Sequence, residues 1–235
     1  MDRRELEFLV NFLINSDAIE GIDNDRHQVA ESFILAESGV GEHGKGHAGA
    51  IMLLRNWADK GSEFQLDEGL VKLIQLLIVR EQPQKGQHEL PLHQQGSWRN
   101  KDILLVRQNS HGEILSRFPI GCKFQEIPDK MERLLQRAND RLTRRDKKCA
   151  DEHDVRFIAG FHWEYERIHP FMDGNGRSGR ALVYFMYRRL GVEPFVFDNI
   201  GKGENYYPCF VKNDPCCMEQ YFIKHSSINR SSTTE

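Results

Sequence analysis

Within twelve positions the chain carries His169, Asp173, Arg177 and Arg180, set around Gly174-Asn175-Gly176. These residue types can take a proton, hold a hard metal ion and grip phosphate. Imidazole is the side chain best matched to proton transfer near neutral pH. A carboxylate beside phosphate oxygens is a ligand for Mg²⁺. Guanidinium forks fit phosphate, and Arg177 and Arg180, three apart, can share one helix face. Glycines allow left-handed torsions and close approach of the backbone to a ligand. An ordinary Asp-Gly-Asn-Gly turn would account for the glycines but not for the whole set. An EF-hand loop would need further spaced acidic ligands and a terminal Glu, which this stretch lacks.

Two helices must position the segment. Over residues 154–168, Phe157, Ile158, Phe161, Tyr165 and Ile168 recur at three- and four-residue steps and form one apolar face. Pro170 cannot continue that helix and biases His169 away from helical torsions. Asn175 is predicted to N-cap a second helix running through Ala181, Val183, Tyr184, Tyr187 and Leu190. The start of that helix offers N–H groups and the positive end of its dipole, a natural phosphate site.

Other stretches read more plainly. Leu6, Phe8, Leu9, Phe12 and Leu13 predict an amphipathic helix that stops at Gly21, with Ser16 and Glu20 four apart on one face. Residues 102–107 and 113–118 flank a polar turn and predict a hairpin. Tyr206 and Tyr207 open a short pattern that, alone, reads as a helix with aromatics in the core. Helical periodicity covers residues 26–36, 47–57, 66–79 and 127–144, and residues 81–95 read as a loop rich in Gln, Pro and His. The basic run Arg141, Arg144, Arg145, Lys147 and Lys148 reads as a solvated helix end.

The run from His169 to Arg180 resembles the Fic family signature, His-x-Phe-x-(Asp/Glu)-Gly-Asn-Gly-Arg-x-x-Arg, at every specified position. The resemblance implies a mostly α Fic fold, a helical bundle with a β-hairpin flap. It implies a protein adenylyltransferase, which moves AMP from ATP to a Tyr, Thr or Ser hydroxyl of a target protein with Mg²⁺ present. His169 would be the general base and Asp173 the Mg²⁺ ligand. The backbone of Gly174, Asn175, Gly176 and Arg177 would form an anion hole, Arg177 and Arg180 would hold phosphates, and Phe171 would anchor the loop.

Beside that signature, Ser16, Glu20 and Gly21 match the family's inhibitory helix, (Ser/Thr)-x-x-x-Glu-(Gly/Asn). The implied role is inhibition in cis: Glu20 pairs with Arg180 and displaces the γ-phosphate. In some relatives the same glutamate also supports removal of AMP. Gly96-Ser97-Trp98-Arg99 resembles the family's lead-in to the flap, which would take a target segment by strand addition. Tyr206 and Asn213 correspond to the region where the family contacts the adenine. Two other readings stand beside this one. The same scaffold could move another phosphate-linked group (UMP, phosphocholine or phosphate), or the chain could be a non-catalytic module that binds partners through its flap.

The 235 residues, 39% hydrophobic and 29% charged, suffice for one sizeable core. The expected layout is an inhibitory segment over 1–24, a Fic domain over 25–225 with its flap at about 97–120 and its catalytic loop at 169–180, and a polar tail over 226–235. A net charge of −3 gives no reason to expect a nucleic-acid partner. No apolar run reaches the roughly 18 residues of a membrane span, and the N-terminus lacks a signal-peptide core. A homodimer is left open. Cys122, Cys149, Cys209, Cys216 and Cys217 are odd in number and lack Cys-x-x-Cys spacing, so they are expected as reduced thiols of a cytoplasmic protein. His43 and His47, without a third ligand, are expected as a satisfied or solvated pair.

Overall fold

Apolar residues at helical spacing fill most of the chain, and the computed structural model turns each such stretch into a helix. It describes residues 1–39, 46–59, 65–80, 90–108, 114–143 and 151–228. The helices are α1 (Arg3–Ile19), α2 (Arg26–Ser38), α3 (Gly46–Asp59), α4 (Glu68–Arg80), α5 (Ile127–Thr143), α6 (Glu152–Ile168), α7 (Asn175–Leu190), α8 (Tyr207–Val211) and α9 (Pro215–His225). Strands β1 (Ile103–Gln108) and β2 (Ile114–Ile120) pair antiparallel, with Ile103 opposite Ile120 and Leu104 opposite Pro119. The mostly α expectation and the hairpin both hold. The turn at 109–113, the stretch 81–89, the basic residues 144–148, His43, Cys149 and the tail from 229 lie outside the described residues.

α7 is the axis of the bundle. Ala181, Leu182, Val183, Phe185, Met186 and Tyr187 point to several sides of it and all are buried. A helix apolar all round must be enclosed, and α3, α4 and α6 pack around this one, with α1 and α5 completing the shell. α6 starts on a reciprocal cap, in which Asp154 N–H donates to the Asp151 carboxylate and Asp151 N–H donates to that of Asp154. Its other end delivers His169. α1 buries Leu9, Phe12, Leu13 and Ser16 along one stripe, so a hydroxyl continues the apolar face toward the core. The hairpin lies outside the bundle and leaves Leu104, Ile114, Leu115 and Phe118 exposed.

Two expectations need correction. Asn175 does not N-cap α7; that position belongs to Gly174, in the left-handed region at φ 80°. The Asn175 amide turns back instead, accepting from Phe171 N–H at 2.8 Å and donating to Phe171 O at 2.9 Å. The cysteines are not all reduced thiols: Cys209 of α8 is bonded to Cys217 of α9, with Cα atoms 5.1 Å apart. The two helices fold against each other and bring Cys209 within bonding range of Cys217, eight residues on, a proximity that sequence spacing does not reveal. No helix among the described residues is long and apolar enough to cross a membrane.

Candidate active site

The site begins where α6 ends. His169 caps that helix at φ 51°, ψ 63°, one of two non-glycine residues with positive φ among those described. Its N–H still donates to Tyr165 O at 3.0 Å. Its ring nitrogen Nδ1 lies 3.3 Å from Glu166 O. A carbonyl only accepts, so Nδ1 carries the proton and the Nε2 lone pair is left to receive one. Burial pulls the imidazole down to about 4; the nearby Arg99 charge adds to this, while the Glu166 carbonyl, Glu20 and Asp173 oppose it. The ring is therefore neutral at pH 7, the form a base requires.

Phe171 fixes the next part of the loop. Its ring is fully buried, 4.8 Å from that of Trp98, and the Asn175 amide holds both of its main-chain polar groups. Buried Gln75 of α4 donates to Asp173 O at 3.0 Å and accepts from Gly96 N–H at 2.6 Å, tying the loop to the flap's lead-in. Gly174 must be glycine twice over: its φ is positive, and a Cβ there would meet Val79 at 2.9 Å. Asp173 Oδ1 accepts from Gly174 N–H at 2.6 Å and lies 3.4 Å from Arg177 Nη2, while the carboxylate stays 41% exposed. Among the described residues no group of three acidic, His or Cys side chains could cage a metal. A lone exposed carboxylate suits Mg²⁺, which keeps waters and shares phosphate oxygens rather than needing an all-protein shell.

Arg180 lies one turn further on, its guanidinium buried. Nε donates to Ser16 Oγ at 2.9 Å, and Nη2 donates to Ser16 O at 2.8 Å and to Glu20 Oε1 at 2.6 Å. Burial pushes the Glu20 carboxyl up, but the Arg180 charge and hydrogen bond, with Arg177 and His169, outweigh it and hold the group ionised below its usual range. Gly176 makes room for this pair, since a Cβ there would lie 2.2 Å from Glu20 Oε1. Gly21, at φ 78°, turns the chain away directly afterwards. The structure thus brings Ser16, Glu20, Gly176, Arg177 and Arg180 together across some 160 residues of chain.

Sequence reasoning missed several residues here. α1 has no basic residue in its own last turn. Lys202 supplies the charge, donating to Ala18 O at 2.9 Å and Ile19 O at 2.8 Å, and Tyr207 OH donates to Ile19 O at 3.0 Å. Glu166 packs against Gly179, where a Cβ would come within 2.6 Å of its Oε1, and that oxygen is buried without a hydrogen bond. Burial raises its carboxyl to about 8 against the pull of Arg180, with Glu20 adding to the rise, so it is largely protonated at pH 7. His162 is buried and pulled down to about 3 by that burial, and its Nε2 shares a hydrogen bond of 2.7 Å with Tyr206 OH. No period or motif marks these groups. His47 is satisfied at one nitrogen only: Nδ1 lies 2.8 Å from Asp17 Oδ1, while its buried Nε2 has no hydrogen bond.

The two residues expected near an adenine part company. Tyr206 is buried, with its hydroxyl 3.5 Å from Arg180 Nη1. Asn213 sits exposed in the turn between α8 and α9, in the left-handed region at φ 53°, and its side chain makes no hydrogen bond to the loop.

The family model of Fic/DOC matches residues 65–187. The Protein adenylyltransferase Fic of Drosophila willistoni is 31% identical over 123 residues, covering 48% of this chain and 24% of its own length. The chain thus spans about a quarter of that relative. Among solved structures, a Fic domain containing signaling protein from Bacteroides thetaiotaomicron aligns over 99% of this chain and 91% of its own, with a TM-score of 0.62 at 21% identity. Fic-1 from C. elegans (residues 134 to 508) aligns over 98% of this chain and 63% of its own, with a TM-score of 0.66 at 19% identity. The fold is theirs.

Proposed function

This chain belongs to the Fic/DOC family, and we propose that it is a protein adenylyltransferase held inactive by its own first helix. In this reading ATP is the donor and a Tyr, Thr or Ser hydroxyl of a partner protein is the acceptor. The partner docks on the exposed hairpin, whose free strand edges offer main-chain hydrogen bonds. His169 Nε2 takes the hydroxyl proton as the oxygen attacks the α-phosphorus, and pyrophosphate leaves. The N–H groups of the first turn of α7 and the Arg177 and Arg180 guanidinium groups hold phosphate oxygens as charge develops. Asp173 would hold Mg²⁺, which neutralises phosphate charge when bound.

The observation that carries the reading is the Glu20–Arg180 pair beside a neutral imidazole. A carboxylate on Arg180 occupies the guanidinium edge that a terminal phosphate needs and puts like charge in its place. ATP then binds in an unproductive pose. Removing Glu20 leaves α1 docked. A charged hydrogen bond contributes about 1.5–3 kcal/mol, whereas each of Leu9, Val10, Phe12, Leu13 and Ile19 contributes about 1.5–3 kcal/mol through burial. Incubating Glu20→Gly and wild-type chain with labelled ATP and weighing the modified protein tests both the donor and the inhibition. An adduct other than AMP sinks the donor assignment, and equal low labelling of both proteins sinks the inhibition.

A further inference from the structure

Three main-chain carbonyls around the loop, those of Ile168, His169 and Cys122, converge on one side chain. Arg99 stands at the head of the hairpin, and its guanidinium is completely buried. Nε donates to His169 O at 2.8 Å; Nη2 donates to Cys122 O and, at 3.5 Å, to Ile168 O. Nη1 donates to Lys101 O at 2.9 Å, with Asp102 Oδ1 at 3.4 Å. The Arg99 main-chain N–H donates to Pro170 O at 2.9 Å. Lys101 and Asp102 lead into β1 and Cys122 follows β2, so one planar group holds both feet of the flap and the residue expected to act as base. Gly121 lets this happen: at φ 78° a Cβ would lie 2.7 Å from His169 Cβ and 2.9 Å from Arg99 Nη2.

His169 needs such a hold. A non-glycine residue in the left-handed region is strained and persists only where its surroundings over-determine it. Its N–H is fixed by α6, and its carbonyl is fixed by Arg99.

We propose that Arg99 is a positioning residue for AMP transfer: it locks the turn at His169 to both feet of the hairpin, so that a hydroxyl carried on the flap meets the imidazole in register. The inference rests on the reading of His169 as base. Lysine cannot replace it, because a single ammonium cannot serve four carbonyls spread around a plane. Arg99 touches no part of the nucleotide cradle formed by Gly174 to Arg180. Its loss therefore lowers the rate at saturating ATP and leaves the ATP requirement alone. The charged or polar groups facing the imidazole are Arg99, Glu20, Asp173 and the Glu166 carbonyl. A neutral residue at 99 thus removes one positive neighbour and lets the imidazole titrate at higher pH.

The test uses the full chain in a Glu20→Gly background, following auto-modification with labelled ATP for Arg99→Lys, Arg99→Gln and Gly121→Ala, each checked for a cooperative melt. All three are expected to lose about 100-fold in maximal rate, the scale of a roughly 1 Å misplacement, with half-saturating ATP moved less than about threefold. The acid limb of the rate profile moves up in Arg99→Gln and stays in Arg99→Lys. Rates within about threefold of the parent, or a loss carried by the ATP requirement, overturn the proposal. NMR titration of His169 in isotope-labelled chain is a readout that needs no turnover. An unmoved His169 titration in Arg99→Gln counts against the proposal even if the Glu20→Gly parent transfers nothing, an outcome that would separately sink the proposed function. Should the arginine variants fail to fold, Gly121→Ala decides alone, by loss of rate or its absence.

Discussion

Arg99 and Arg180 are both buried guanidinium groups at the catalytic loop, yet they are satisfied in opposite ways. Arg99 is held chiefly by main-chain carbonyls of the loop and of the flap's two feet. None of these can leave without unfolding the site. Arg180 donates three hydrogen bonds to Ser16 of α1 and to Glu20 at the C-cap of that helix, and one long one to Tyr206. One helix therefore commands nearly all of its partners. A cation that must stay put is satisfied by backbone on several sides, whereas one that must be freed for a ligand is satisfied by a single detachable element. In the proposed function the first arrangement positions the base and the second guards the phosphate site.

The comparison can be broken at several points. The largest effect belongs to the fixed side. His169→Ala in the Glu20→Gly background should lower AMP transfer by about 10²–10⁴-fold, the range for a lost general base. Calorimetry should find ATP affinity within about threefold of the parent, and an active His169→Ala chain would remove the imidazole from the mechanism. A smaller effect sharpens the detachable side. Lys202→Met removes the cation at the C-terminus of α1, an interaction worth about 0.3–1 kcal/mol. That corresponds to about a two- to fivefold rise in transfer by the otherwise wild-type chain, with no further rise over Glu20→Gly. A similar rise in both backgrounds would place Lys202 outside the inhibition.

A third effect is read in stability rather than rate and belongs to a carboxyl that feels the Arg180 charge. Glu166 has a folded-state pKa of about 8, raised above its ordinary value of 4.5 by burial. The folded chain holds that proton more tightly than the unfolded one, so the group favours folding at low pH, and this contribution is lost as pH rises from 4.5 through about 8. Glu166→Gln, which cannot ionise, should melt near the wild-type temperature at pH 5 and above it at pH 9. Melting curves that keep the same separation at both pH values would contradict the burial of an ionisable carboxyl there.

Much of this was legible in the chain. Apolar spacing gave α6 and α7 nearly whole, because a stripe at helical period has few other uses. The Ser16–Glu20 spacing put both side chains on one face, and Arg180 meets that face. What the sequence hid were side chains reaching far along the chain to backbone groups: Gln75 to Asp173 O, Arg99 to His169 O, Lys202 to Ala18 O. Such bonds depend on tertiary placement and leave no period. Asn175 misled for a related reason. Its type favours a helix cap, but the loop had a stronger use for its amide across Phe171, and glycine took the capping position. Cys209 and Cys217 gave no sign of pairing, since their proximity arises only when α8 and α9 fold together.

The central claim is that the α1 carboxylate, by holding Arg180, keeps a competent base idle. It is tested most directly by the rate of labelled AMP transfer for wild type and Glu20→Gly, with ATP binding measured on both. The account predicts that both bind ATP and that Glu20→Gly transfers AMP at least about tenfold faster, as removal of about 1.5–3 kcal/mol of competing contact at Arg180 would give. Equal rates in the two proteins, with ATP bound to each, would contradict it.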